Sequence, residues 1–206
     1  MISLDPISVR QPSILDYRSI LSGPQSLRVK NYLKDQMHTI ATGPGGVINC
    51  GEWLPEVLSQ RGLECQTLTL LNGIQAIGGK QAIEGLDPDE LRREAQEFSS
   101  SGSFSMMDIG YVLQGKNKVI VKGMFSNPLQ ELESLYFSER RFLGRAEGSA
   151  FHIYCLLPVK NPADERFILK VDSLGGKQEY LSIDDFFEMM FGRNLFTTLH
   201  SVFEVP

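Results

Sequence analysis

From Arg141 onward the chain alternates apolar and polar residues in short runs separated by turn-forming residues, and this pattern constrains the fold more than any other feature. RFLG from 141, a turn at AEGS, FHIYCLL from 151, a loop at KNPADE and RFILKVD from 166 carry the period of two that a half-buried antiparallel sheet requires. A helix over IDDFFEMMF and a last strand over TTLHSVFEV follow.

Upstream the period changes. Over residues 27–40 the apolar positions Val29, Leu33, Met37 and Ile40 form one face of a helix, which the segment TGPGG must end. EWLPEVLSQRG reads as a short helix with Pro55 in its first turn, where a missing N–H costs nothing. Residues 65–85 are ambiguous: CQTLTLL suits a strand or the start of a helix, and NGIQAIGGKQAIEG is broken by four glycines. Asp87 and Pro88 supply N-cap and first-turn signals for a charged helix through DELRREAQEF, expected to face solvent. Ser103 or Ser105 caps a helix through FSMMDIGYVLQ, KVIVKGMF reads as a buried strand, and Asn127 and Pro128 open an amphipathic helix around LQELESLYF. Helices followed by a run of antiparallel strands make an α+β fold.

A length of 206 residues with 42% apolar content supports one domain. It is expected over residues 27–206, after a leader at 1–26 that carries Pro6, Pro12 and Pro24 and reads as extended and partly disordered. The net charge of −5, with Lys and Arg scattered, provides no basic stripe for a phosphate backbone, so nucleic acid is not an expected partner. No run approaches the roughly 20 apolar residues of a membrane span, and the N-terminus lacks a basic segment followed by an apolar one. Cys50, Cys65 and Cys155 are an odd count at wide spacing with no C-x-x-C pair, which argues against a disulfide framework and a structural zinc. No metal or cofactor is expected, and a reducing, cytoplasmic setting fits best.

A nucleophilic cysteine needs its thiolate, which a helix N-terminus favours through its positive potential and unpaired N–H groups. Cys50, after GPGGVIN and before the helix read at EWLPEVL, has that setting, and the glycines let backbone N–H groups approach an oxyanion. The plainer reading is an ordinary buried thiol after a loop. Cys155 shares a strand face with Phe151, Ile153 and Leu157 and reads as core. Cys65, between Glu64 and Gln66 with no base suggested nearby, reads as a structural or surface residue. His38 falls off its helix's apolar stripe and is expected in solvent, and His200 reads as structural. His152 alternates with the apolar row, so its ring leaves the opposite face beside Tyr154, where it can take a proton from a helix-borne thiol. Asp172 ends the next strand and can accept the second imidazole N–H. Asp184 and Asp185 follow Ser182 at a helix start and are assigned to capping.

With Cys50, His152 and Asp172 in that order, residues 45–205 resemble the Josephin family of papain-like deubiquitinating cysteine proteases. SGSFSMMDIGYVLQ is similar to the family's serine-glycine-aromatic-aromatic-serine helix, VIVKGMFSNPLQELE to the strand and Ser-Pro turn after it, ERRFLGRAEGSAFHIYCLL to the hairpin that presents the histidine, and FILKVDSLGG to the strand ending in Asn or Asp followed by Ser. INCGEWLPEVL is similar to the nucleophile helix. The family has a glutamine about five residues before its cysteine to complete the oxyanion hole, whereas Pro44, Gly45 and Gly46 stand there, which leaves backbone N–H groups with Asn49 or Gln36 as candidate donors. The histidine is usually followed by Trp in the family, and here by Ile153.

The resemblance implies a papain-like fold, with the nucleophile helix packed on the C-terminal sheet, and hydrolysis at the C-terminus of ubiquitin or a ubiquitin-like protein through a Cys50 thioester. Ubiquitin or a ubiquitin-like substrate is the implied partner, and DELRREAQEF corresponds to the family's mobile helical arm, unless it is simply a solvated face. An alternative keeps the same triad in a glutamine deamidase or transglutaminase of the kind secreted by bacteria into a host cytosol. A third, motivated by the absent glutamine, is a non-catalytic pseudoenzyme that binds ubiquitin.

Overall fold

The alternating segments of the C-terminal third form a sheet whose strands distribute their side chains between two helical layers. The computed structural model describes residues 26–42, 48–49, 56–62, 64–99, 104–125, 140–147, 152–161, 163–191 and 200–206. Nearly all of the expected leader, Cys50, Ser103 and the helix expected around LQELESLYF lie outside them. In chain order the elements are α1 (Ser26–Thr42), β1 (Ile48–Asn49), α2 (Cys65–Gly78), a 3-10 turn (Lys80–Ile83), α3 (Pro88–Phe98), α4 (Met106–Gly115), β2 (Ile120–Phe125), β3 (Arg141–Glu147), β4 (His152–Lys160), β5 (Arg166–Asp172), β6 (Lys177–Leu181), α5 (Ile183–Phe191) and β7 (His200–Glu204).

The strands lie in the order β2-β7-β3-β4-β5-β6 with every neighbour antiparallel. β3 pairs with β4 only from His152 to Leu156. Beyond it, β1 pairs in parallel with Val159 and Lys160. Alternation then builds the core. Ile153, Cys155 and Leu157 of β4 face the apolar residues of α2, α3 and α4. Tyr154 and Leu156 face those of α1 and α5. The fold class is α+β, as the order of elements suggests, and no described helix is long and apolar enough to cross a membrane.

α2 is the central helix. Every residue from Thr67 to Ala76 is buried, and Leu68, Leu70, Leu71 and Ile74 are each at most 4% exposed, worth about 1.5–3 kcal/mol apiece in transfer terms. Gly73 lets it lie close to the sheet, since a Cβ there would collide with the Phe142 ring. The ambiguity of CQTLTLL follows from this burial, because a helix covered on most sides loses the polar face that marks its period.

Other helix signals hold. Asp87 caps α3 by accepting from the N–H groups of Asp89 and Glu90, and Ser105 with Asp108 forms a capping box on α4.

Three expectations change. The helix expected over EWLPEVLSQRG is absent from residues 56–62, which have no helical structure. Their backbone is tied to α2 instead: Leu58 N–H donates to Asn72 Oδ1 (2.8 Å), Asn72 Nδ2 donates to the Leu58 carbonyl (3.3 Å) and Gln75 Nε2 to that of Glu56 (2.9 Å). α3 is not simply a solvent-facing arm, because Leu91 and Ala95 are buried in the core. Among the described strands β2 is a sheet edge, with Val119 buried before it but Ile120 and Met124 exposed.

Candidate active site

His152 begins β4 opposite Glu147 of β3. The β4–β5 register pairs Cys155 with Val171, and one further step sets Asp172 beside Tyr154, diagonal to His152 on the same face. His152 Nε2 and Asp172 Oδ1 are 2.9 Å apart, with the two side chains 19% and 18% exposed. The same Oδ1 accepts the Leu174 N–H at 2.8 Å, so the carboxylate is fixed by the turn that follows it. With Nε2–H directed at Asp172, the neutral ring carries its basic lone pair on Nδ1.

Cys65 opens α2, and its surroundings point to the same end of β4. The N–H of Ile153, the residue after His152, hydrogen-bonds the sulfur, and the Asp172 charge acts on it. Burial pushes the thiol up from its ordinary pKa, and Asp172 adds to this. The N–H groups of Ile153, Gln66 and Cys65 itself work in the other direction and are outweighed. At rest Cys65 is therefore a neutral thiol, and its use as a nucleophile calls for a base. One turn along α2, the Thr69 hydroxyl donates to the Ile153 carbonyl at 2.9 Å. Both backbone polar groups of Ile153 are thus engaged by α2.

Gln60 reaches this site through the extended segment. Its N–H donates to the Ser173 carbonyl (2.9 Å), and the Ser173 hydroxyl donates to its Oε1 (2.9 Å). Ser173 is fully buried and follows Asp172. Its hydroxyl occupies the oxygen of the Gln60 amide, which leaves the Nε2 end as the donor. Cys65, the His152–Asp172 pair and the segment bearing Gln60 all lie by the start of β4 and the end of β5. These residue types are the ones acyl transfer from an amide or ester can use.

The sequence-derived candidates fare differently. His152 and Asp172 are brought together. Cys50 lies outside the described residues. Asn49, the residue before it, pairs with Lys160, at the far end of β4 and roughly 27 Å along the strand from His152, so Asn49 is no oxyanion donor for this pair. Gln36 sits in mid-α1, and among the described residues no hydrogen bond joins it to His152 or Asp172. Cys65, read as a structural or surface residue without a nearby base, is instead half-buried beside Ile153, and the Asp172 charge acts on it. The missed signal was its spacing: Gln60 stands five residues before Cys65, the separation expected of the family's glutamine and cysteine.

The remaining candidates are structural. Cys155 is fully buried, which pushes its thiol far up. His38 is exposed and bonds Asp184 at 2.6 Å. That contact, followed by Lys34, holds the Asp184 carboxyl below its ordinary pKa. Ser182 caps α5 by accepting the Asp185 N–H at 3.0 Å. His200 pairs in register with Phe125 and Arg145. Among the described residues no cluster of His, Cys, Asp and Glu is arranged to hold a metal ion. No protein-family model matches the chain, and no curated protein matches its sequence.

Proposed function

We propose that this chain is a papain-like cysteine hydrolase in which Cys65 is the nucleophile, His152 the base, Asp172 the residue that orients it and Gln60 an oxyanion donor. The observation that carries the reading is the 2.9 Å His152–Asp172 pair at the peptide whose N–H bonds the thiol opening a buried helix. With Cys65 in place of Cys50 the Josephin resemblance gains its glutamine, and the substrate class it implies is the C-terminal peptide or isopeptide bond of ubiquitin or a ubiquitin-like protein.

In the first step His152 Nδ1 takes the Cys65 proton as the sulfur attacks the scissile carbonyl carbon. The C–S bond forms, and the carbonyl π pair moves onto oxygen, where the Gln60 Nε2–H and the N–H groups at the start of α2 stabilise it. The oxyanion collapses, the C–N bond breaks and the amine leaves with the proton from His152. Water, deprotonated by His152, then hydrolyses the thioester and restores the thiol. Asp172 holds the ring throughout and stabilises the imidazolium. Because burial keeps Cys65 neutral, general-base transfer rather than a standing thiolate is the expected route.

Hydrolysis of a fluorogenic amide at the ubiquitin C-terminus tests the reading. Wild type and Cys50→Ala should turn it over, and Cys65→Ala should not. Turnover by Cys65→Ala would remove Cys65 from the mechanism. No hydrolysis, together with a deamidation mass gain on a protein glutamine, would move the same three residues to the deamidase class.

A further inference from the structure

We infer that Thr69 is a positioning residue, holding the first turn of α2 in register with the His152 end of β4 so that Cys65 and His152 act as a pair. The inference rests on the proposed Cys65–His152 chemistry and adds to it the part of the scaffold that keeps the two partners aligned.

Nucleophile and base belong to separate elements, one opening α2 and the other opening β4, so their separation depends on how the helix is seated along the strand. Apolar contact alone sets that loosely, because Leu68, Leu71 and Ile74 gain similar burial when the helix slides by a fraction of a residue. A directional bond at the working end removes this freedom. Thr69 supplies one: four residues after Cys65 it lies on the same helix face, is 1% exposed, and its hydroxyl donates to the Ile153 carbonyl at 2.9 Å within the protein interior. Ile153 is joined to His152 by one peptide bond, so the contact acts next to the base and not elsewhere along the strand.

Besides Thr69, the Cys65 sulfur also meets β4, at the Ile153 N–H, but the amide side chains further along α2 bind a different part of the chain. Asn72 and Gln75 hold Leu58 and Glu56 of the extended segment, not β4. A β-branched threonine also carries its hydroxyl on a side chain with few rotamers, which suits a fixed donor.

The test reads the help His152 lends to Cys65 and needs no substrate. Iodoacetamide alkylation of Cys65 is followed at neutral pH by peptide mass mapping in wild type, Thr69→Ser, Thr69→Val and Thr69→Ala, each with and without His152→Ala. In wild type and Thr69→Ser, loss of His152 should slow alkylation of Cys65 by about tenfold or more. In Thr69→Val and Thr69→Ala the factor should shrink to about twofold or less, as expected once base and thiol are out of register. Circular dichroism confirms folding, and Thr69→Ala replaces Thr69→Val if the larger side chain prevents it. An undiminished His152 factor in a folded variant lacking the hydroxyl overturns the role of Thr69 and leaves the Cys65–His152 pair standing. A wild-type rate indifferent to His152 overturns the pair, and with it the role of Thr69.

Discussion

Replacing Asn72 with alanine tests how the segment bearing Gln60 is held. Asn72 is 2% exposed and grips both backbone polar groups of one residue, accepting from Leu58 N–H at 2.8 Å and donating to the Leu58 carbonyl at 3.3 Å. Loss of the shorter bond leaves a part-buried N–H without its acceptor, which costs about 1–3 kcal/mol, and loss of the longer one costs about 0.5–1.5 kcal/mol. The sum is about 2–4 kcal/mol. In a domain of this size each kcal/mol moves Tm by about 2–4 °C, so Asn72→Ala should melt about 5–15 °C below wild type in a thermal scan read by circular dichroism. Gln75 and Ser173 still tether the segment at Glu56 and Gln60, so the variant should fold. Because Gln60 is only two residues beyond Leu58, kcat should fall more than KM rises. A Tm within about 1 °C of wild type would refute the reasoning, since it would mean that the Leu58 peptide gains nothing from Asn72 that water does not supply.

Gly73→Ala should lose about 1–3 kcal/mol in urea unfolding, because the new methyl meets the buried Phe142 ring; unchanged stability would show that α2 can move off the sheet. Asp172→Ala should lower kcat by about 100-fold, and Asp172→Asn by less, since asparagine keeps an Oδ1 for both His152 and Leu174; equal losses would argue that charge alone matters. The Cys155 thiol is pushed far above its ordinary 9.0, so the unfolded chain ionises it where the folded chain keeps it neutral. That contribution to stability is present below the ordinary value and lost as pH rises above it. Cys155→Val should therefore flatten the alkaline fall of the urea midpoint, and an unchanged fall would contradict the burial argument.

The sheet was largely legible because turn residues bound its strands, although β4 is buried at every position from Ile153 to Val159 and so shows little burial contrast between its faces. β5 and α5 begin and end where RFILKVD and IDDFFEMMF do, and opposite projection of His152 and Cys155 from one strand follows from the period alone. Asp87 and Ser105 were legible because capping is local chemistry. The helix that begins at Cys65 was not. Glu64 precedes α2 without making a side-chain cap, and burial from Thr67 to Ala76 erases the polar stripe. Residues 56–60 misled in the opposite sense, since their content suits a helix while their conformation is set by Asn72 and Gln75, 14 to 19 residues away in sequence. Local periodicity contains no trace of such contacts. The five-residue spacing of Gln60 and Cys65 is the sequence feature on which the proposal prefers Cys65 to Cys50.

The site of a covalent adduct tests the proposed role of Cys65 as nucleophile most directly. Ubiquitin bearing a C-terminal electrophile is incubated with the full chain, the product is digested and the modified cysteine is read by tandem mass spectrometry. The adduct should lie on the Cys65 sulfur and be lost in His152→Ala. An adduct on Cys50, with Cys65 unmodified, would contradict the account.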